Sequence, residues 1–136
     1  MRIQPKHIVI VGCGRLGGAL ANQLCGQGHN VVVVDRRDAS FDKLSVDFSG
    51  FKLIGDAVEL HVLQKATGDH TDYLFATTTR DSTNLMVAQI AQYVFHVPHV
   101  VARVFDPTRE AIYRDFGIQT ISPTKLSANA FTKVIE

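Results

Sequence analysis

Three glycines near the start of the chain, Gly12, Gly14 and Gly17, have the spacing Gly-x-Gly-x-x-Gly directly after an apolar run at 7–11. In such a turn the first glycine permits a sharp change of direction, and the second, lacking a Cβ atom, lets a pyrophosphate approach the backbone. The third lets the following helix pack closely on the strand, and the helix start offers free N–H groups to phosphate. The spacing therefore predicts a nucleotide-binding turn; the alternative is a tight strand-to-helix connection without a ligand.

Asp35 follows a second apolar run, at 30–34, and lies 18 residues after Gly17. A carboxylate at the end of the second strand accepts hydrogen bonds from ribose hydroxyls in dinucleotide-binding folds. The alternative is that Asp35 only caps the next helix. Arg36 favours a ribose 2′-phosphate, but an acid directly at the strand end repels one, so we predict an unphosphorylated ribose.

Four further polar side chains are placed where they can serve a ligand or the loops around it. Arg15 stands inside the glycine turn, where a guanidinium can pair two phosphate oxygens; the alternative is a solvated arginine. Asp56 follows the third apolar run and can hydrogen-bond an adenine or a ribose, or cap the third helix. We expect Asp81 and Asn84 to cap and brace the loop above the cofactor.

Six short apolar runs, rich in β-branched residues, predict strands that alternate with stretches of helical periodicity. This alternation predicts a single-domain α/β fold over residues 1–136. The expected architecture is a Rossmann-type doubly wound parallel sheet of six strands in the order 3-2-1-4-5-6. The predicted strands lie at 7–11, 30–34, 51–54, 73–76, 99–104 and 119–121.

The intervening segments carry helical patterns of different strength. Leu16, Leu20 and Leu24 recur every four residues and predict a first helix with one apolar stripe. Phe41 and Leu44 indicate a short helix after the second strand. The pattern in this segment is weaker, so the sheet is expected to be only modestly covered there.

The later helices have clearer start signals. A capping residue followed by proline, at 106–107 and again at 122–123, predicts the first turn of a helix. The earlier of these two helices should carry Ile112 and Phe116, and a long helix is expected before it at 82–95.

Ligands of a doubly wound sheet bind at the carboxyl ends of the strands, near the switch between the first and fourth strands. This rule brings the glycine turn, Asp35, the segments 55–57 and 77–81, and Arg103 into one neighbourhood. We therefore expect a single site at this edge of the sheet.

The composition excludes several classes of partner. The 136 residues carry a net charge of +1, and no basic run is longer than Arg36-Arg37, so the sequence predicts no nucleic-acid surface. No apolar run approaches the roughly 20 residues needed to span a bilayer, so we predict no direct membrane insertion. The expected compartment is the cytoplasm.

Side chains for catalysis or metal binding do not cluster in the sequence. Cys13 and Cys25 are twelve residues apart, which fits neither a redox pair nor a metal site, and the six histidines are scattered. The Tyr-x-x-x-Lys pair of short-chain dehydrogenases is absent, and no general acid or nucleophile stands out. We predict no catalytic residue and no metal.

Several motifs together resemble the RCK N-terminal (KTN, TrkA-N) domain, the cytosolic nucleotide-sensing domain of Trk/Ktr-type potassium uptake systems and of some potassium channels and antiporters. The resemblance runs from about His7 to the end of the chain. It is carried by the turn at 12–17 with arginine in fourth position, by Asp35, by Gly55-Asp56-Ala57, by Thr78, Asp81 and Asn84, and by Ala102-Arg103-Val104 before Asp106-Pro107.

The resemblance implies a non-catalytic regulatory domain that binds NAD(H), ATP, ADP or AMP, pairs through its later helices and assembles into rings beneath a membrane transporter. Carried over to this sequence, it implies phosphate contacts at the glycine turn, ribose contacts at Asp35 and adenosine contacts at 56–57, with Arg103 facing the site. The predicted cofactor-binding residues are Gly12, Gly14, Arg15, Leu16, Gly17, Asp35, Arg36, Asp56, Ala57, Thr78 and Arg103.

The sequence departs from this family in two respects. Thr124 follows Pro123 where many members have glutamate, so a carboxylate that supports effector or cation binding in some relatives is missing. The usual C-terminal ligand-binding lobe is also missing. Three possibilities for this chain therefore stay open: it is a fragment, a stand-alone domain or one partner of a separate membrane protein.

Three functions follow as hypotheses. The first is a nucleotide-binding regulatory domain, cytoplasmic or peripheral to the inner face of the membrane, with a membrane-embedded cation transporter or channel subunit as its partner. The others are the cofactor-binding half of an NAD-dependent oxidoreductase and a purely structural interaction domain.

We also expect a homo-oligomer, because two helices carry apolar residues beyond what a sheet of this size buries. The alternative is that these residues complete the core. They are Met86, Ile90 and Tyr93 on one helix and Leu126, Phe131 and Val134 on the other.

Overall fold

A computed structural model describes residues 4–136 and contains a six-stranded, entirely parallel sheet in the order β3-β2-β1-β4-β5-β6. This confirms the predicted doubly wound α/β fold. The strands are β1 His7–Val11, β2 Asn30–Asp35, β3 Phe51–Ile54, β4 Tyr73–Ala76, β5 His99–Arg103 and β6 Gln119–Ile121. The helices are α1 Arg15–Gly26, α2 Leu60–Thr67, α3 Asp81–Tyr93, α4 Glu110–Asp115 and α5 Pro123–Ile135.

The central strands are apolar along their whole length because both faces of the sheet are covered. Val9 and Val11 face a large core cluster that includes residues of α2 and α3, such as Leu63 and Val87. Ile8 and Ile10 face a second cluster that α1 covers. The alternation along one strand thus supplies two separate cores, one on each side of the sheet.

Two predicted helices differ from the structure. The segment with Phe41 is a 3₁₀ helix, Asp38–Lys43, and Leu44 lies just beyond its end. The helix expected to carry Ile112 and Phe116 is split into a 3₁₀ turn, Pro107–Arg109, and the short α4, so Phe116 lies after the helix. In both segments few apolar positions anchor the helix to the sheet, and tight 3₁₀ geometry suits short connections.

The remaining boundaries shift by one or two residues. β2 extends through Asp35, whereas β5 ends at Arg103 rather than at residue 104. Helix α3 begins one residue earlier and ends two residues earlier than predicted. The proline-based starts of the last two helical segments are confirmed, since the side chains of Asp106 and Ser122 accept hydrogen bonds from the first-turn N–H groups.

The apolar residues expected at an interface mostly lie on the surface. Met86 and Tyr93 on α3 are more than half exposed, and Ile90 packs against the core. On α5 no residue is buried, and Phe131 is 76% exposed. The explanation that these side chains complete the core therefore holds for Ile90 but not for the exposed residues.

Candidate functional site

The glycine turn after β1 has the geometry that its spacing predicts. Gly12 has φ +99°, in the region that glycine adopts without strain, and a Cβ atom there would lie 2.9 Å from the Thr78 backbone nitrogen. A Cβ atom on Gly17 would lie 1.7 Å from the Gly12 carbonyl oxygen, so helix and turn touch through this glycine. By contrast, nothing lies within 4 Å of the position of a Cβ on Gly14. The structure thus leaves the space above Gly14 open.

Asp35 connects the end of β2 to the glycine turn. Its Oδ2 atom accepts a hydrogen bond from the Cys13 N–H at 2.8 Å, and its Oδ1 atom accepts one from the Arg37 N–H at 2.9 Å. Burial would raise the pKa of Asp35, but these hydrogen bonds, with help from Ser40 and the Arg37 charge, lower it overall. The carboxylate stays ionised, and because a carboxylate has about four acceptor positions, it retains capacity for a ligand hydroxyl.

Asp56 follows β3 and also faces the site. Its Oδ1 atom accepts a hydrogen bond from the Val58 N–H at 3.2 Å, which stabilises the turn before α2. Glu59, not Asp56, occupies the N-cap position of α2, so the alternative that Asp56 caps this helix is wrong. Ala57 is buried beside it.

The loop after β4 is held by Asn84, which is completely buried on α3. The side-chain oxygen of Asn84 accepts hydrogen bonds from the Thr78 N–H at 2.9 Å and from the Thr78 hydroxyl at 2.6 Å. Its amide nitrogen donates to the Thr78 and Arg103 carbonyl oxygens at 3.1 and 3.0 Å. Asp81 accepts from the backbone N–H groups of Phe105 and Asp106. The predicted bracing of the loop after β4 is confirmed for Asn84. Asp81 braces the segment after β5 instead, and neither side chain caps α3, whose N-cap is Arg80.

Arg103 supports this loop from behind. Its Nη2 atom donates to the carbonyl oxygens of Thr77 and Thr78, both at 2.8 Å, and its guanidinium lies 4.4 Å from the centre of the Phe105 ring. Burial lowers the pKa of Arg103, and its buried Nε atom has no hydrogen-bond partner among the described residues. Thr124, which follows Pro123, donates from its hydroxyl group to the Phe105 carbonyl oxygen at 3.3 Å.

These elements surround one cavity of about 590 Å³ at the carboxyl ends of the strands. Of the predicted residues, seven line it: Gly12, Gly14, Asp35, Arg36, Asp56, Ala57 and Thr78. The other four, Arg15, Leu16, Gly17 and Arg103, lie outside its lining. Arg15 is exposed, Leu16 and Arg103 are half-buried, and Gly17 is buried in the contact between helix and turn. Direct ligand contacts by these four remain predictions, and the orientation of Arg103 toward the loop differs from the orientation expected from the sequence.

The cavity also contains residues that the sequence did not predict there. Arg37, Ser40 and Lys43 enter it because the 3₁₀ helix Asp38–Lys43 folds back toward α1, and Thr83 enters it from the first turn of α3. Thr79 and Arg80 line it from the predicted segment 77–81. The cationic side chains of the lining outnumber the anionic ones by four to two: Arg36, Arg37, Lys43 and Arg80 against Asp35 and Asp56. This balance, with the helix start beside it, suits an anionic ligand.

Metal-binding clusters and membrane-spanning helices are both absent from residues 4–136. No group of three or more histidine, cysteine, aspartate or glutamate side chains in that range is arranged to hold a metal ion. Within the same range, every helix is too short or too polar to cross a bilayer.

Comparison with known proteins places the chain in a family. The family model of the TrkA-N domain matches residues 8–123. The Trk system potassium uptake protein TrkA of Streptomyces coelicolor is 37% identical over 123 residues, which are 90% of this chain and 55% of that protein. The chain thus spans about half the length of this relative.

Two solved structures share the fold. The Kef CTD of Shewanella denitrificans in its AMP-bound form aligns with a TM-score of 0.76 at 21% identity, over 94% of this chain and 81% of that one. The GsuK channel bound to NAD aligns with a TM-score of 0.72 at 21% identity, over 87% of this chain and 21% of that one. The motifs of the glycine turn, Asp35 and the loop after β4 lie inside the matched segment, and the chain belongs to the TrkA-N domain family.

Proposed function

We propose that this chain is a regulatory domain that binds an adenine nucleotide and controls a potassium transporter, or another cation transporter or channel, through ligand-dependent conformational change. The observation that carries the proposal is the single cavity in which the glycine turn, Asp35, the Asp56 turn and the loop after β4 meet. Membership of the TrkA-N family supports the regulatory role.

We propose that each part of the nucleotide contacts a different wall of the cavity. The N–H groups at the start of α1 and the open space above Gly14 suit the phosphates. The ionised Asp35 accepts hydrogen bonds from ribose hydroxyls, and Asp56 with Ala57 borders the adenosine end. The loop at Thr78, fixed by Asn84, closes the side next to β4.

The charge at the ribose wall favours an unphosphorylated ribose. Asp35 is anionic and lies at the strand end, where it repels a 2′-phosphate. Arg36 and Arg37 are both exposed, so water screens their attraction for such a group. We therefore propose NAD(H), ATP, ADP or AMP as ligands, and the AMP and NAD found in the Kef and GsuK structures support this class.

Regulation of this kind requires a partner protein and two arrangements of the assembled domains. The Streptomyces relative is named as a potassium uptake protein, which supports a membrane-embedded cation transporter or channel subunit as the partner of this chain. The exposed apolar residues of α3 and α5 support self-association. A nucleotide shifts the balance between two arrangements only by the difference in its affinity for them, so nucleotides of different phosphate charge should differ in effect.

A thermal-shift panel with AMP, ADP, ATP, NAD⁺, NADH and NADPH tests the proposal. A ligand at 100 times its Kd adds about 2.7 kcal/mol to the free energy of unfolding, which raises the melting temperature measurably. We expect a rise with at least one unphosphorylated-ribose nucleotide and a smaller rise with NADPH. No rise with any of them would contradict the proposal.

Turnover assays separate the proposed regulator from the cofactor-binding half of an oxidoreductase. In the presence of NAD⁺ and a panel of alcohols and hydroxy acids, we expect binding of the cofactor without its reduction. Steady production of NADH with one of these substrates would favour the oxidoreductase instead.

A further inference from the structure

Lys43 is a cavity residue without a role in the glycine motif. It ends the 3₁₀ helix Asp38–Lys43, lines the cavity and has an exposed side chain. None of the ion pairs found in residues 4–136 involves it. Lys43 is therefore a cationic residue of the cavity lining that forms no ion pair with any carboxylate of residues 4–136.

The backbone around Lys43 is tied to α1 by one side chain. Asn22 donates from Nδ2 to the Lys43 carbonyl oxygen at 3.2 Å, and its Oδ1 atom accepts from the Ser45 N–H at 2.8 Å. This pair of hydrogen bonds holds the end of the 3₁₀ helix against the middle of α1. The backbone position of Lys43 is thereby fixed, although its side chain is long and flexible.

Gly18 has no side chain, and the Lys43 side chain lies in the space beside it. A Cβ atom on Gly18 would lie 3.2 Å from the Lys43 Cβ, 3.9 Å from the Cys13 Sγ and 4.0 Å from the Lys43 Cδ. The lysine stem therefore crosses the first turn of α1 in the space that this glycine leaves free. Gly18 lies outside the Gly-x-Gly-x-x-Gly spacing, and this crossing explains a fourth glycine directly after it.

The charge of Lys43 acts on the glycine turn. Burial and the Asp35 carboxylate raise the pKa of the Cys13 thiol, and the positive charges of Lys43 and Lys52 oppose that rise. Cys13 is the residue between the first two glycines of the turn. Lys43 therefore adds positive charge next to the glycine turn, whose adjoining helix start is proposed to receive phosphate.

We propose that Lys43 is a phosphate-binding residue of this site, that Gly18 and Asn22 direct it there, and that it selects phosphate-bearing adenine nucleotides over adenosine. This inference rests on the proposed function. Lysine suits the task because its ammonium group is a compact charge on a flexible stem, able to follow phosphate oxygens beyond the reach of the backbone N–H groups.

The test is calorimetric titration of AMP and adenosine into the wild type and Lys43→Met, which keeps the length of the stem and removes its charge. We expect AMP to bind about five- to tenfold more weakly, the scale of one partly screened hydrogen bond to a charged group, with adenosine affinity unchanged. Lys52→Met is the matched control. It removes a second charge that acts on Cys13, but from a residue outside the cavity lining, so it should leave AMP affinity at the wild-type value.

Gly18→Ala tests the path independently. Alanine favours the helix, so the variant should fold, but its methyl group would lie 3.2 Å from the Lys43 Cβ atom and push that side chain aside by a few tenths of an ångström. AMP affinity should fall in the wild-type background and not fall further in the Lys43→Met background. Equal AMP affinity in Lys43→Met and wild type, or equal losses for AMP and adenosine, would overturn the inference while the proposed function stood. A wild type that binds none of AMP, ADP, ATP, NAD⁺ and NADH would overturn both.

Discussion

At the scale of single residues, Asp35 both organises the site and faces it. Its carboxylate accepts hydrogen bonds from Cys13 and Arg37, so it orders the glycine turn as well as offering acceptors to a ribose. Asp35→Ala should weaken binding of adenine nucleotides by about 1.5–3 kcal/mol, the scale of a hydrogen bond to a charged group, as measured by calorimetry. The fold should persist, because water can reach the two freed N–H groups through the cavity.

Asp42→Ala is the matched control for this substitution. Asp42 is an exposed acid on the neighbouring 3₁₀ helix and does not line the cavity. Its removal should leave nucleotide affinity unchanged. If Asp35→Ala bound nucleotides as tightly as this control does, Asp35 would not contact the ligand.

The lowered pKa of Asp35 predicts how stability depends on pH. The unfolded carboxyl has its ordinary pKa of 3.8, and the folded value is lower, so the contribution of Asp35 to the free energy of unfolding is complete above 3.8. It is lost as the pH falls through the folded pKa. Urea unfolding at pH 6 and at pH 3 should therefore show a smaller acid-induced loss of stability in Asp35→Asn than in the wild type. An identical loss would show that the hydrogen bonds to Asp35 do not stabilise its ionised form.

Local spacing identified the residues whose roles are local. The glycines of the turn and Asp35 could be predicted because backbone conformation and position at a strand end depend on a few neighbouring residues. Lys43 could not, since it enters the cavity only when a 3₁₀ helix of weak sequence pattern folds back on α1. Arg103 was expected at the correct strand end, but the direction of its side chain depends on the carbonyl groups of the loop after β4.

At the scale of elements, the loop after β4 depends on α3 through Asn84. Asn84→Ala removes four hydrogen bonds from a completely buried position. The polar groups of Thr78 and Arg103 that formed them then lose the Asn84 side chain as their partner. We expect the free energy of unfolding to fall by about 2–3 kcal/mol in urea denaturation, because unsatisfied buried polar groups are costly. Nucleotide affinity should fall as well, since the loop borders the cavity.

Gln92→Ala supplies the comparison on the same helix. Gln92 donates one hydrogen bond to the Gly117 carbonyl oxygen in an exposed setting, so its loss should cost less than about 1 kcal/mol. Equal destabilisation by the two substitutions would contradict the bracing role of Asn84.

The elements themselves were predicted best where burial is strongest. Runs such as 7–11 and 30–34 are β-branched because the sheet is covered on both faces, so their pattern identifies them as central strands. The segments 38–43 and 107–115 carry few buried side chains, Phe41 in the first and Tyr113 in the second. With so little packing to fix their length, their periodicity did not distinguish 3₁₀ from α geometry.

At the scale of the whole molecule, the exposed apolar residues predict self-association. Phe131 is 76% exposed and Leu126 61% exposed on a helix that buries none of its residues. Light scattering at tens of micromolar should give a mass above that of one chain, and Phe131→Ser should weaken the assembly by about tenfold or more. A monomer of the wild type with and without ATP, ADP and NADH would contradict both the interface and a sensor that works through it.

Binding of nucleotide phosphates at the glycine turn is tested by calorimetric titration of AMP, ADP, ATP and NADH into the wild type and Gly14→Val. Nothing occupies the Cβ position of Gly14, so valine should leave the fold intact while filling the space proposed for phosphate, and binding seen in the wild type should disappear. Gly17→Ala, whose methyl group would meet the Gly12 carbonyl oxygen, should instead lose the fold, as circular dichroism would show. Saturable binding that survives in a folded Gly14→Val, or no binding to the wild type, would contradict nucleotide binding at the glycine turn.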